Sequence, residues 1–393
     1  MSQVYHQDDH AMRGRQRHRL IPLTGTDNKM DIPQLKLETN EGQNGRSRQF
    51  FVDLIRVIAI FFVVVGHTSE SVTDHWNRIP LFDWMSGNIY SSFVRFCVPM
   101  FFMLSGFLLL GKEESLWNFF RKRFRKIIIP LIAWSVIYLL LSQDYSNYTL
   151  FNAIKSVAKT IFIGPAYYHL WFLYSLIPIY LLIPVLRVFM KGASQTVIWY
   201  FILLCFFSAT ILQPVERLMG FNSGVNFTLA PEYIGLILLG RQIGKTHFSS
   251  KWVTASVIVL FLASIYTIYA TYTLTIEAGK LDGRYYSYNG INLILAGICG
   301  FIIIKAIGEL PALLSRPAMT NFLTRLSKTG FGIYLIHIII LAGLQKGEFG
   351  VTLSAYTFQP IYAIPVLAFI VFLASFIIID LMQKIPILRE IVP

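Results

Sequence analysis

The chain has 393 residues, of which 55% are hydrophobic, 15% aromatic and only 14% charged; 34 Lys+Arg against 21 Asp+Glu give a net charge of +13. Soluble proteins carry about 25% charged residues, so this composition excludes a water-soluble enzyme, a disordered chain and a fibrous repeat. Apolar runs of bilayer-spanning length predict an all-α, polytopic integral membrane protein. Its positive charge is then read as membrane topology and not as nucleic-acid binding.

Residues 1–48 are polar and hold eight Lys/Arg, which predicts a flexible basic cytoplasmic tail and not a signal peptide. Ten apolar spans follow, near 50–69, 89–110, 127–143, 168–188, 197–213, 229–245, 252–274, 288–307, 329–345 and 361–382. With the N-terminus inside, the inner segments hold 25 Lys/Arg and the outer loops 7. Cytoplasmic segments retain positive charge, so this asymmetry puts both termini in the cytoplasm. The expected divisions are the tail 1–48, a membrane domain 49–385 and a short cytoplasmic tail 386–393. Cys97, Cys205 and Cys299 lie in apolar runs without CxxC spacing, so neither zinc nor a disulfide framework is predicted, and no metal is needed.

In the first span an arginine and a histidine interrupt apolar sequence: Arg56, and His67 eleven residues on. Ionisable groups at membrane depth are costly and mark function. Eleven residues make three helical turns plus about 20°, so both side chains face one way, about 16 Å apart along the axis. One helix face therefore links an inner anion site at Arg56 to an imidazole deeper in the membrane. The plainer alternative is that Arg56 pairs with Asp53 at i, i+3 while His67 bonds a neighbouring helix. In the second span Arg95 is an intramembrane cation towards the outer side. It precedes Pro99 and the pair Ser105-Gly106, which lets helices approach closely.

The run Arg121-Lys122-Arg123-Phe124-Arg125-Lys126 ends at Pro130. Either it anchors lipid headgroups or it holds a polyanionic cytosolic ligand, arginine forks matching phosphates. His169 and Trp171 open the fourth span at the outer face, where a sugar or the membrane interface would meet them. Glu232, at the outer mouth of the sixth span, needs a partner such as Arg95 or His67, since a buried lone carboxylate would protonate. His337 is a third intramembrane histidine, at a helix-packing or substrate-facing position.

Taken in order, Arg56-x10-His67, Pro99-x-Phe101-Phe102-x-x-Ser105-Gly106, the Arg/Lys run before Pro130, His169-Leu170-Trp171-Phe172-Leu173 and Tyr334-Leu335-Ile336-His337 resemble the membrane acyltransferase-3 family over about residues 48–385. These are integral-membrane O-acyltransferases of bacterial surface polysaccharides, and the subgroup acting on enterobacterial common antigen looks nearest. The resemblance implies ten helices, a multi-pass protein of the bacterial inner membrane, and no permanently bound cofactor. It implies acyl-coenzyme A (acetyl-CoA in the first place) as cytoplasmic donor and a saccharide or lipid-linked saccharide as acceptor. In the family the arginine and histidine of the x10 motif are essential, which points to Arg56 and His67 as catalytic. The family's Arg-x-Arg pair matches Arg123 and Arg125, or Arg121 and Arg123, so Arg121, Arg123, Arg125 and Lys126 are the expected donor-binding residues. His169, Trp171, Glu232, Arg95 and His337 are expected on the acceptor side. His67 would act as general base or as transient acyl carrier. A transporter or flippase of saccharides shares the spans and charges, but transporters often carry internal repeats and none is visible.

Overall fold

The computed structural model describes residues 33–143, 148–212, 215, 219 and 231–393; for 33–48 and 231–232 the backbone alone is described. The chain divides into two units, residues 1–44 and 45–393. In the first, the described residues 33–44 are helical, so the flexible tail expected over 1–48 falls partly on helix and otherwise outside the described residues. In the second, all regular structure among the described residues is helical.

Helix α1 (Pro33–Thr73) carries the first membrane segment, Gln49–Thr73. There follow α2 (Leu81–Val94), α3 (Cys97–Leu109), α4 (Leu116–Arg123), a π turn (Phe124–Ile128) and α5 (Ile129–Ser142). Next are α6 (Leu150–Ile163), α7 (Trp171–Gly192), α8 (Gln195–Phe206), α9 (Pro231–Ile243) and α10 (Ser250–Ala278). The chain ends with α11 (Ile291–Gly308), α12 (Pro311–Leu314), α13 (Pro317–Lys346), α14 (Pro360–Met382) and the single turn α15 (Pro386–Arg389). Among the described residues nine segments are long and apolar enough to cross a membrane, and Tyr233–Ile243 of α9 is a shorter apolar helix. Each of the ten predicted spans thus corresponds to a helix. Several run past the apolar core into polar sequence, as in Leu116–Ser142 against the expected 127–143.

Two prolines shape the elements that carry charge. Pro99 has no N–H to give the carbonyl four residues back, which is that of Arg95. The second span accordingly breaks between α2 and α3 at Arg95 and Phe96, and Val98 instead bonds the Arg95 carbonyl in a tighter turn. Pro130 likewise cannot bond back to Lys126, and the π turn lies just before it. Its wider winding, with the Ile129 N–H reaching the Phe124 carbonyl, re-aims the basic side chains around it.

The centre of the bundle is close-packed. A Cβ at Gly106 of α3 would lie 1.8 Å from the Ile237 carbonyl of α9, and one at Gly240 of α9 would lie 2.0 Å from the Met103 carbonyl of α3. The two helices cross backbone to backbone, as small residues permit in membranes. The apolar window of α13 is 78% buried against 22% for α10, so α13 is central and α10 peripheral. Helix α6 lies in the region expected to be only an outer loop. Leu150, Phe151, Ile154 and Phe162 are exposed along it and none of its residues is buried, the pattern of a helix lying in a membrane interface.

Candidate functional site

A cavity of about 800 Å³ runs through the bundle. Arg56 and His67, on one face of α1, both line it, about 16 Å apart along the helix axis. Exposed Lys112, Lys126, Lys328 and Arg389 lie on the lining, and so does the exposed ring of Tyr168 beside His67. The cavity therefore has a basic end around Arg56 and an aromatic end around His67.

At the aromatic end, His67 Nδ1 lies 2.8 Å from Glu70 Oε2, one helical turn further along α1. Glu70 Oε1 accepts from Arg95 Nη2 at 3.0 Å. Arg95 reaches inward from the break that Pro99 creates, donates to the Tyr288 hydroxyl at 3.4 Å and lies 4.2 Å over the Tyr286 ring. A carboxylate paired with a guanidinium accepts at both oxygens, so the His67 bond puts the proton on Nδ1 and leaves a lone pair on Nε2. The result is an imidazole of fixed orientation at the cavity wall.

Two further imidazoles flank it. The His337 ring centre is 5.3 Å from that of His67 and 5.5 Å from that of His169. His337 Nδ1 faces the Tyr334 carbonyl at 2.7 Å, so that nitrogen donates, and buried Nε2 has no partner among the described residues. His169 is on the lining, whereas His337 lies behind it. Tyr334 donates to the His169 carbonyl and so ties the start of α7 to α13. Trp171 stacks on Tyr288 at 5.3 Å and both line the cavity, giving this end an aromatic wall.

At the basic end Arg56 does pair with Asp53, at 3.6 Å, and still lines the cavity. Buried Asp53 also accepts from Ser327 at 2.7 Å and Thr324 at 2.8 Å, which fastens α1 to α13 and fixes where Arg56 starts. Arg123 is on the lining, stacked over Phe119 at 4.7 Å. Glu114 organises this region, accepting from Lys122 at 2.9 Å and from Arg187 at 3.0 Å, with Arg123 at 3.9 Å. Burial alone would raise the Glu114 carboxyl, but these cations outweigh it and bring it down to about 2. Lys112 moves below the usual lysine range through partial loss of water and the nearby positive charge of Arg123, Lys122 and Lys126, opposed by Glu114.

Sequence expectations and geometry differ at several residues. Of the basic run, Arg123 and Lys126 line the cavity; Arg121 does not, and Arg125 points to Glu390 at 2.9 Å. The π turn separates their directions, which residue spacing alone does not reveal. The Glu232 side chain, expected to pair with Arg95 or His67, lies outside the described residues, and the carboxylate found on both of those groups is Glu70. Glu70 had a signal in the sequence, an acid at i, i+3 from an intramembrane histidine. Lys112, Lys328 and Arg389 had none, because three separate elements bring them to one cavity. Of the predicted Ser-Gly pair, Ser105 lines the cavity and Gly106 makes the close crossing.

A family model described as an acyltransferase domain matches residues 49–380. Comparison with curated proteins and with solved structures returned no match. The matched stretch takes in nearly the whole helical bundle, with both ends of the cavity, and the chain is a membrane protein of the acyltransferase-3 family.

Proposed function

We propose that this protein moves an acyl group, acetyl in the first place, from acyl-coenzyme A to a hydroxyl of a saccharide or lipid-linked saccharide. The observation that carries the reading is one cavity with cations at one end and an oriented His67 at the other. Coenzyme A bears a phosphomonoester and a pyrophosphate, which suit Arg56, Arg123 and Lys126. Its thioester arm is long and thin enough to follow the cavity towards His67. In this reading the basic end faces the cytoplasm, which the charge asymmetry of the loops supports, and the protein sits in a bacterial inner membrane.

In the reaction, His67 Nε2 takes the proton of the acceptor hydroxyl as its oxygen attacks the thioester carbonyl. The carbon–sulfur bond breaks, and the imidazolium returns the proton to the departing thiolate. The products are the O-acyl sugar and free coenzyme A. Glu70 holds the Nδ1–H and stabilises the imidazolium that forms, while Arg95 keeps Glu70 in place. Trp171, Tyr288 and Tyr168 supply ring faces for the sugar, and His169 a polar group beside it. The test is release of coenzyme A by purified protein given acetyl-CoA and an acceptor glycan, with mass spectrometry of the glycan. His67→Ala is expected to insert normally and to lose transfer. Normal transfer by a correctly inserted His67→Ala removes His67 from the mechanism.

A further inference from the structure

The segment after α14 forms part of the cavity wall. Residues 386–393 turn back against the bundle, and Val392 is completely buried. Trp134 Nε1 of α5 donates to the Ile391 carbonyl at 2.9 Å, and Gln383 Nε2 donates to the Val392 carbonyl at 3.0 Å. Glu390 pairs with Arg125 at 2.9 Å. Arg389, on the turn these bonds hold, is on the cavity lining together with Gln383 and Pro393.

The electrical surroundings of Arg389 are unusual. Arg56 and Arg123 have carboxylate neighbours, Asp53 and Glu114. Among the described residues no ion pair includes Lys112, Lys126, Lys328 or Arg389, although all four line the same cavity. The single side-chain carboxylate on the described lining is Glu70, bound to His67 and Arg95. Like charges brought together on a protein wall repel unless an anion is shared between them. Four cations from four elements, none of them in an ion pair among the described residues, are the complement of a polyanion.

We infer that residues 386–393 are a strap forming one wall of the donor pocket, and that Arg389 is a donor-binding residue gripping a phosphate of acyl-coenzyme A. This rests on the acyl-CoA reading above. The strap is fixed by three tethers, to the π turn, to α5 and to the end of α14, so the backbone that presents the Arg389 fork is held in place. Anionic lipid headgroups offer the same phosphate chemistry, and the test separates the two sources.

The full-length protein is placed in nanodiscs, either of neutral phosphatidylcholine or with anionic phosphatidylglycerol added. Transfer kinetics are measured with acetyl-CoA and with acetyl-pantetheine, which lacks all the phosphates. Losing one charge-assisted contact is expected to raise the KM for acetyl-CoA about tenfold to a hundredfold in Arg389→Ala, with kcat little changed. The preference of kcat/KM for acetyl-CoA over acetyl-pantetheine should fall by the same factor, in neutral and anionic discs alike. Arg389→Lys, which keeps the charge without the fork, should recover part of it. Three results would overturn the inference. Arg389→Ala keeps the wild-type preference; it loses both donors equally, marking a structural role; or its effect appears only with anionic lipid. If wild type neither binds coenzyme A nor uses acetyl-CoA, the donor reading itself fails, an outcome distinct from any result confined to Arg389.

Discussion

His67 can serve as a base only if one ring nitrogen keeps its lone pair, and Glu70 decides which one. Its carboxylate lies 2.8 Å from Nδ1 and is held from behind by Arg95 at 3.0 Å. Replacing Glu70 by Gln keeps the shape but allows the amide to offer either a donor or an acceptor to Nδ1, so the tautomer is no longer imposed. Glu70→Gln is therefore expected to lower kcat by about a hundredfold or more with a small change in KM, measured as initial rates of coenzyme A release. An unchanged kcat would show that Glu70 is only part of the packing. The pair was half-legible in sequence. Arg56 and His67 stand out because each is a polar group in apolar sequence, and Glu70 follows at helical spacing. What could not be read is that Arg95, on the neighbouring span, closes the chain, since that depends on the angle at which α2 and α3 break.

The same break shows how elements place residues. Pro99 removes a hydrogen bond to Arg95 and Pro130 one to Lys126, and each irregularity sits beside cations that line the cavity. The positions of these prolines were visible, but the direction in which a π turn sends Arg123, Arg125 and Lys126 was not. Close approach at Gly106 was expected from its small neighbour Ser105, and the partner proved to be α9. A side chain there has nowhere to go, because the Ile237 carbonyl is backbone. Gly106→Val is expected to unfold at a markedly lower temperature in detergent, by more than about 3 kcal/mol, or not to accumulate at all. Ser105→Ala, one residue away, should melt within about 1 kcal/mol of wild type.

Glu114 gives the loop before α4 a pH signature. Its carboxyl falls from an ordinary 4.5 to about 2 in the folded protein. A depressed carboxylate stabilises above its unfolded value and ceases to as pH falls through its folded one. The Glu114→Gln variant should thus be less stable than wild type at pH 7 by about 2 kcal/mol, the scale of a charge-assisted bond. The gap in melting temperature should narrow from about pH 4.5 downward and approach zero near pH 2. A gap that stays constant across that range would mean the Lys122 and Arg187 bonds contribute no net stability.

At the scale of the whole molecule, the spans were the most legible feature, because some twenty apolar residues in a row admit few alternatives to a membrane helix. Helix α6 escaped notice because Lys155 and Lys159 interrupt its apolar residues, which suits an interface and not a span. The loops alone carry the charge asymmetry, and it is on this asymmetry that the proposed cytoplasmic side of the Arg56 end rests. The cavity is the feature no linear reading could supply: its basic wall draws on α1, α13, the π turn, the loop before α4 and the strap after α14.

The central claim is that an acyl group enters beside Arg56 and leaves beside His67, across the membrane. It is tested most directly in sealed proteoliposomes holding the protein in one orientation, with radiolabelled acetyl-CoA confined to the side of Lys126 and an acceptor glycan to the side of Tyr168. The account predicts acetylated glycan on the Tyr168 side and coenzyme A on the other, with neither formed by His67→Ala. Transfer only when donor and acceptor share one compartment would contradict it.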